Sequence, residues 1–213
     1  MTVTHQRIQR LVGIACLGAL AFILMFFEFP VLPMAPYLKL DFSDVPVLLG
    51  GYIYGPVGGI IIAAIKCLIH GMVHGFSPAE LIGVTSDFIS SLALLLPFCW
   101  VWRHHNWSNK RQAIIGIALG TVTLTVLMSL LNLWILTPLY MAVWNWKSTL
   151  PVSQLVAIGV LPFNLIKGLV VTIVYVIIAG RLRPWLDQQN GSRRARDEIK
   201  SLVTPINSAG EKP

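Results

Sequence analysis

Residues 45–73, VPVLLGGYIYGPVGGIIIAAIKCLIHGMV, are apolar almost throughout, and their reading decides how many times this chain crosses a membrane. An unbroken helix of that length would rise about 44 Å at ~1.5 Å per residue, well beyond the ~30 Å of a bilayer's hydrocarbon core. Gly55-Pro56, followed by Gly58-Gly59, interrupts the run. Proline removes a helical hydrogen bond and glycine loosens the backbone. The run is therefore one overlong, kinked helix or two short helices joined by a tight turn.

Outside this run, Leu11 to Phe27, Leu81 to Trp102, Ala113 to Leu136 and Leu155 to Ile178 are each long and apolar enough to span a bilayer. The total is five spans or six. Composition agrees: 55% of residues are hydrophobic, 12% are charged and mean hydropathy is +0.72. A soluble domain carries about twice that charge, so most of the surface must face lipid. Arg7 and Arg10 precede the first run, and Ala19-Leu20-Ala21 resembles a cleavage site, but it falls in mid-run. The first segment therefore reads as an uncleaved transmembrane helix.

The net charge of +7 does not indicate nucleic acid, because the basic residues flank apolar segments and fill the C-terminal tail. With six spans, twelve lysines and arginines, among them Arg7, Arg10, Lys110 and Arg111, share one side, against Lys39 and Lys147 on the other. Five spans give eleven against three. Six is the better count, with both termini cytoplasmic. Residues 1–183 read as one transmembrane domain, and 184–213 as a polar, basic, disordered cytoplasmic tail. The cysteines, Cys16, Cys67 and Cys99, are odd in number, unpaired by motif and embedded in apolar sequence, and read as small buried hydrophobes.

Residues 29–44, FPVLPMAPYLKLDFSD, hold three prolines and cannot be helical, yet are too apolar to lie in water. They read as a long loop between helices 1 and 2 that folds back over the membrane domain. Ser43 or Asp44, before Val45-Pro46, is a good N-cap for the next helix.

Ionisable groups at membrane depth cost several kcal/mol and require a partner or a purpose. Here they are Lys66, Asp87 and Lys167, joined by Asn132 and Asn164. Lys167 and Asn164 lie three apart on one helical face, offering donors and an acceptor to a polar ligand; the alternative is that Lys167 neutralises Asp87 or another carboxylate. His70 and His74, four apart, sit near a helix end with Glu80 near the next helix start. Gly71 stands where a zinc metalloprotease needs its Glu, so these histidines read as interfacial or loop-contacting, and no metal is assigned. There is no nucleophile elbow and no phosphate-binding loop, so the chain is not read as an enzyme and does not hydrolyse ATP itself.

FPVLPMAPYLKLDFSDVPVLLGGYIYGPVGG at 29–59 and GVLPFNLIKG at 159–168 resemble the riboflavin-specific substrate-binding (S) subunit of energy-coupling factor (ECF) transporters. The resemblance implies an all-α polytopic membrane protein of six transmembrane helices, in the bacterial cell membrane, with the 45–73 run split in two. It implies a ligand-covering loop between helices 1 and 2. Riboflavin is then a transported ligand rather than a cofactor, with flavin mononucleotide and analogues as further ligands. The implied partners are a transmembrane coupling subunit and two ATPase subunits. Ligand-binding residues would be Leu40, Asp41, Phe42, Ser43, Asp44, Asn132, Asn164 and Lys167. Ala15 and Ala19 would be a small-residue face for the coupling subunit; packing within the chain is their other reading. Competing readings are an S subunit for thiamine, biotin or pantothenate, and a stand-alone carrier using Asp87 as its coupling-ion site.

Overall fold

The computed structural model describes residues 3–33, 35–104, 109–145 and 150–181. Six helices occur among them. They are α1 (Val3–Phe26), α2 (Asp44–Tyr54), α3 (Pro56–His74), α4 (Pro78–His104), α5 (109–144) and α6 (Val152–Arg181). Five are long and apolar enough to cross a membrane. The exception is α2, whose eleven residues rise only about 17 Å.

Gly55 divides the 45–73 run. Its φ of 83° is a left-handed value that side chains resist, and Pro56 follows in the first turn of α3. Asp44 through Gly51 are all buried, so α2 is enclosed on every face. It packs between α1, α3 and α4. Ser43 occupies the N-cap position of α2 but forms no capping bond. The capping role expected of Ser43 and Asp44 is thus not taken up, because both side chains turn to a buried lysine instead.

Glycines set two close approaches. A Cβ on Gly18 of α1 would stand 2.7 Å from Ile65 of α3, and one on Gly120 of α5 only 2.8 Å from the Leu94 carbonyl of α4. On α1, Gly18 therefore faces inward, while Ala15 and Ala19 are exposed on the outer side.

Phe29–Pro30 and Lys39–Leu40 pair as a short antiparallel ladder, with Phe29 opposite Leu40 and Pro30 opposite Lys39. Within the 29–43 segment, Ala35, Leu38 and Leu40 are buried against Leu155, Val156, Val160 and Phe163 of α6. This packing is what the apolar composition of the segment demands.

Two helices contain π-helical turns, Asn132–Leu136 in α5 and Val156–Val160 in α6, and the two turns touch. Such turns are rare and often mark functional positions. The chain forms one compact unit through Tyr175; residues 176–181 are helical and belong to a second. The tail expected over 184–213 lies outside the described residues, as does Lys147.

Candidate functional site

Three carboxylates and two ammonium groups meet at one point. Lys66 of α3 donates to Ser43 Oγ at 2.6 Å and lies 2.8 Å from Asp44 Oδ1 and 2.9 Å from Asp87 Oδ2. Lys167 of α6 stands 3.4 Å from Asp87 Oδ1, 3.5 Å from Asp44 Oδ2 and 3.6 Å from Asp41 Oδ2. Ser91 of α4 donates to Asp44 Oδ1 at 2.5 Å. The Ser43 N–H donates to Asp41 Oδ1 at 2.7 Å, which turns the end of the 29–43 segment into the cluster.

All five charged side chains are nearly or wholly buried, the most accessible being Asp87 at 11%. Isolated charges there would cost several kcal/mol each, so the groups hold one another in place. Their formal sum is −1, and Asp41 is the member on the loop. Burial pushes its carboxyl above the usual carboxylate range, with the Lys167 ammonium opposing.

Lys167 therefore does neutralise Asp87, and Asp41 and Asp44 as well, but it also lines a cavity of about 120 Å³ beside the cluster. Asp41, Asn132 and Asn164 line the same cavity. Leu40, Phe42, Ser43 and Asp44 are not among its lining residues: Leu40 packs into the apolar cluster on α6, and Ser43 and Asp44 lie behind, on Lys66.

The two asparagines are held alike. Asn132 Nδ2 donates to the Met128 carbonyl and Asn164 Nδ2 to the Val160 carbonyl, each at 2.8 Å and each four residues back, beside a π-helical turn. Each amide keeps a second N–H, and Asn164 keeps its carbonyl oxygen, for another partner. Thr137 bonds Asn132 Oδ1 at 3.4 Å and Tyr37 Oη at 2.8 Å, which ties the loop to α5. Tyr37 stacks on Tyr140 with ring centroids 4.7 Å apart, so the cavity has an aromatic wall. Burial raises the Tyr37 phenol above its ordinary value, with the bond to Thr137 opposing.

Sequence reasoning singled out Lys66 and Asp87 as unexplained charges but did not place them in the site. It gave no sign of Tyr37 and Tyr140. Spacing within one helix does not show which residues face one another across several.

The profile of the ECF transporter substrate-specific component matches residues 9–179. The chain belongs to this family. The riboflavin transporter FmnP of Bacillus subtilis (strain 168) is 36% identical over 191 residues, covering 88% of this chain and 98% of that protein. The riboflavin transporter RibU of Staphylococcus aureus (strain TCH60) is 36% identical over 182 residues, covering 85% of this chain and 94% of its own length. A solved structure of the S component of a bacterial ECF transporter superposes with a TM-score of 0.71 at 36% identity, covering 84% of this chain and 98% of that one. The relatives are transporter components rather than enzymes, and this S component is, with its several apolar helices, a membrane protein of the same kind.

Proposed function

We propose that this S component binds riboflavin and mediates its uptake together with an ATP-driven ECF module. The observation that carries the reading is the convergence of Asn132, Asn164 and Lys167 on one cavity, in a chain 36% identical to two riboflavin transporters. The isoalloxazine ring has flat apolar faces and an imide edge of alternating acceptors and donor. The uncommitted donor and acceptor of the Asn164 amide complement that edge. Lys167, Asn132 and Asp41 suit the ribityl hydroxyls. The Tyr37–Tyr140 stack supports an aromatic ring lying on Tyr140.

The cavity of about 120 Å³ is smaller than the ~300–1,000 Å³ of typical small-molecule pockets. Entry of a flavin therefore requires the 29–43 segment to lift and Tyr37 to leave Tyr140. The contacts to be broken include the Tyr37–Thr137 hydrogen bond, the Lys39–Glu28 and Asp41–Lys167 ion pairs, the Lys66 hydrogen bond to Ser43 and the apolar cluster on α6. The segment then covers the bound vitamin, and its apolar residues exclude water. Leu40, Phe42, Ser43 and Asp44 act through that closure.

In this reading the buried end of the 29–43 segment and the short α2 together make a sixth crossing beside the five long helices, with both termini cytoplasmic and the rest of the loop outside. The exposed Ala15 and Ala19 face docks on a transmembrane coupling subunit served by two ATPases. Flavin mononucleotide and analogues sharing the ring are further ligands.

The test is a riboflavin titration of detergent-purified, ligand-free protein, followed by quenching of flavin fluorescence. Saturation at about one flavin per chain, with tight binding near ~1 nM (about −12 kcal/mol) and no competition by thiamine or biotin, is expected. Folded protein that fails to quench would sink the flavin assignment.

A further inference from the structure

The corner between α3 and α4 holds a set of donors that the charge cluster does not use. His70 and His74 lie one turn apart at the end of α3, their rings stacked with centroids 4.1 Å apart. The chain then reverses over Gly75, at φ 81°, and Pro78 opens α4, which carries Glu80 in its first turn. That reversal brings Glu80 Oε1 to 2.7 Å from His70 Nε2. One nitrogen of each imidazole and one oxygen of Glu80 lie within 4.8 Å of one another.

We propose that His70, His74 and Glu80 form a binding site for a zinc-class divalent cation. Two imidazoles and a carboxylate suit zinc, with water completing four-coordination, whereas magnesium and calcium take oxygen ligands. The tautomer of His74 is set appropriately. Its Nδ1 lies 3.2 Å from the His70 carbonyl, so an N–H there leaves the lone pair on Nε2. A backbone carbonyl holding the second ring nitrogen is the usual support of a metal-ligating histidine. The His70 ring is 3% exposed and holds Nε2 on Glu80, while its Nδ1 has no hydrogen-bond partner, so one ring nitrogen is uncommitted. A buried, unsatisfied nitrogen asks for an ion or a water.

Ligands around tetrahedral zinc at ~2.1 Å stand about 3.4 Å apart, so the widest pair must close by at most about 1.4 Å, while His70 Nε2 and Glu80 Oε1, 2.7 Å apart, must open slightly. His74 is exposed and Glu80 half-buried, so side-chain rotation can supply that movement without disturbing the core. His70 and Glu80 also line the cavity, so a bound ion fastens α3 to α4 at its rim. In sequence the spacing of His70 and His74 offers a possible metal face, set aside because Gly71 stands where a zinc metalloprotease needs its Glu; the third donor comes from the next helix.

The experiment uses full-length protein made without a polyhistidine tag, stripped with a chelator and titrated with cobalt(II) alone as an absorbing zinc substitute. One cobalt per chain, a visible ligand-field band and displacement by zinc are expected. His74→Ala and Glu80→Gln should each weaken binding at least tenfold while keeping the parent's helical circular dichroism and elution volume. His74, being exposed, provides the variant that leaves packing intact. Absence of saturable uptake, or uptake unchanged in both variants, would reduce the trio to a His70–Glu80 hydrogen bond and overturn the proposal. No flavin enters this test, so it stands apart from the transport reading.

Discussion

The Lys66 ammonium lies 2.8 Å from the Asp44 carboxylate, and the two side chains are 0% and 1% exposed. The lysine reaches from the middle of α3 to the first residue of α2, clamping the short helix at the point where the 29–43 segment enters it. Three carboxylates share two ammonium groups around this contact, so removing either lysine leaves buried carboxylates unneutralised.

Lys66→Met should therefore destabilise the protein by about 3–5 kcal/mol, the usual cost of leaving a buried charge without its partner. A thermal melt in detergent would show it. Pairing the change with Asp44→Asn should recover part of the loss, since the stranded charge is then gone. Strictly additive losses would mean that the two residues act separately.

Asp41 should respond to pH in the opposite sense to a stabilising carboxylate. Its pKa is raised in the folded protein above the ordinary 3.8, so the native state holds a proton that the unfolded chain releases. The stability this group contributes is complete below 3.8 and is lost as pH climbs through the raised folded value. Asp41→Asn, which retains an oxygen for the Ser43 N–H, should flatten that part of the stability–pH curve. At neutral pH it should raise the melting temperature by ~2–4 °C per kcal/mol of relieved burial cost. A drop as large as that of Lys66→Met would show that Asp41 is needed as an anion.

Asn164→Ala and Lys167→Ala should each weaken riboflavin binding at least tenfold, about 1.4 kcal/mol or more. Fluorescence titration reads this directly, with helical content as the control for folding. Two variants that both stay within twofold of the parent would remove these residues from the site.

Gly55→Ala isolates a backbone effect. No atom lies within 4 Å of a Cβ at this position, so any cost comes from the φ of 83° alone. We expect a loss of about 1–2 kcal/mol in a thermal melt, with the helical content unchanged. An unaltered melt would mean that the α2–α3 turn relaxes to another conformation.

The sequence by itself determined the five long membrane-spanning segments, the non-helical character of residues 29–43 and the break at Gly55-Pro56. The reason is that lipid imposes a local rule: each crossing must satisfy its own backbone and present apolar side chains over a fixed length. PFNLIKG likewise placed Asn164 and Lys167 on one face by helical geometry alone. What the chain could not show was the partnering of its charges. Lys66 and Asp44 are 22 residues apart and Lys167 and Asp87 are 80 apart, and only the packing of α2, α3, α4 and α6 brings them within 4 Å. For the same reason Glu80 is invisible to the spacing of His70 and His74. Electrostatics at membrane depth acts over a few ångströms in space, and the tertiary fold decides which residues share them.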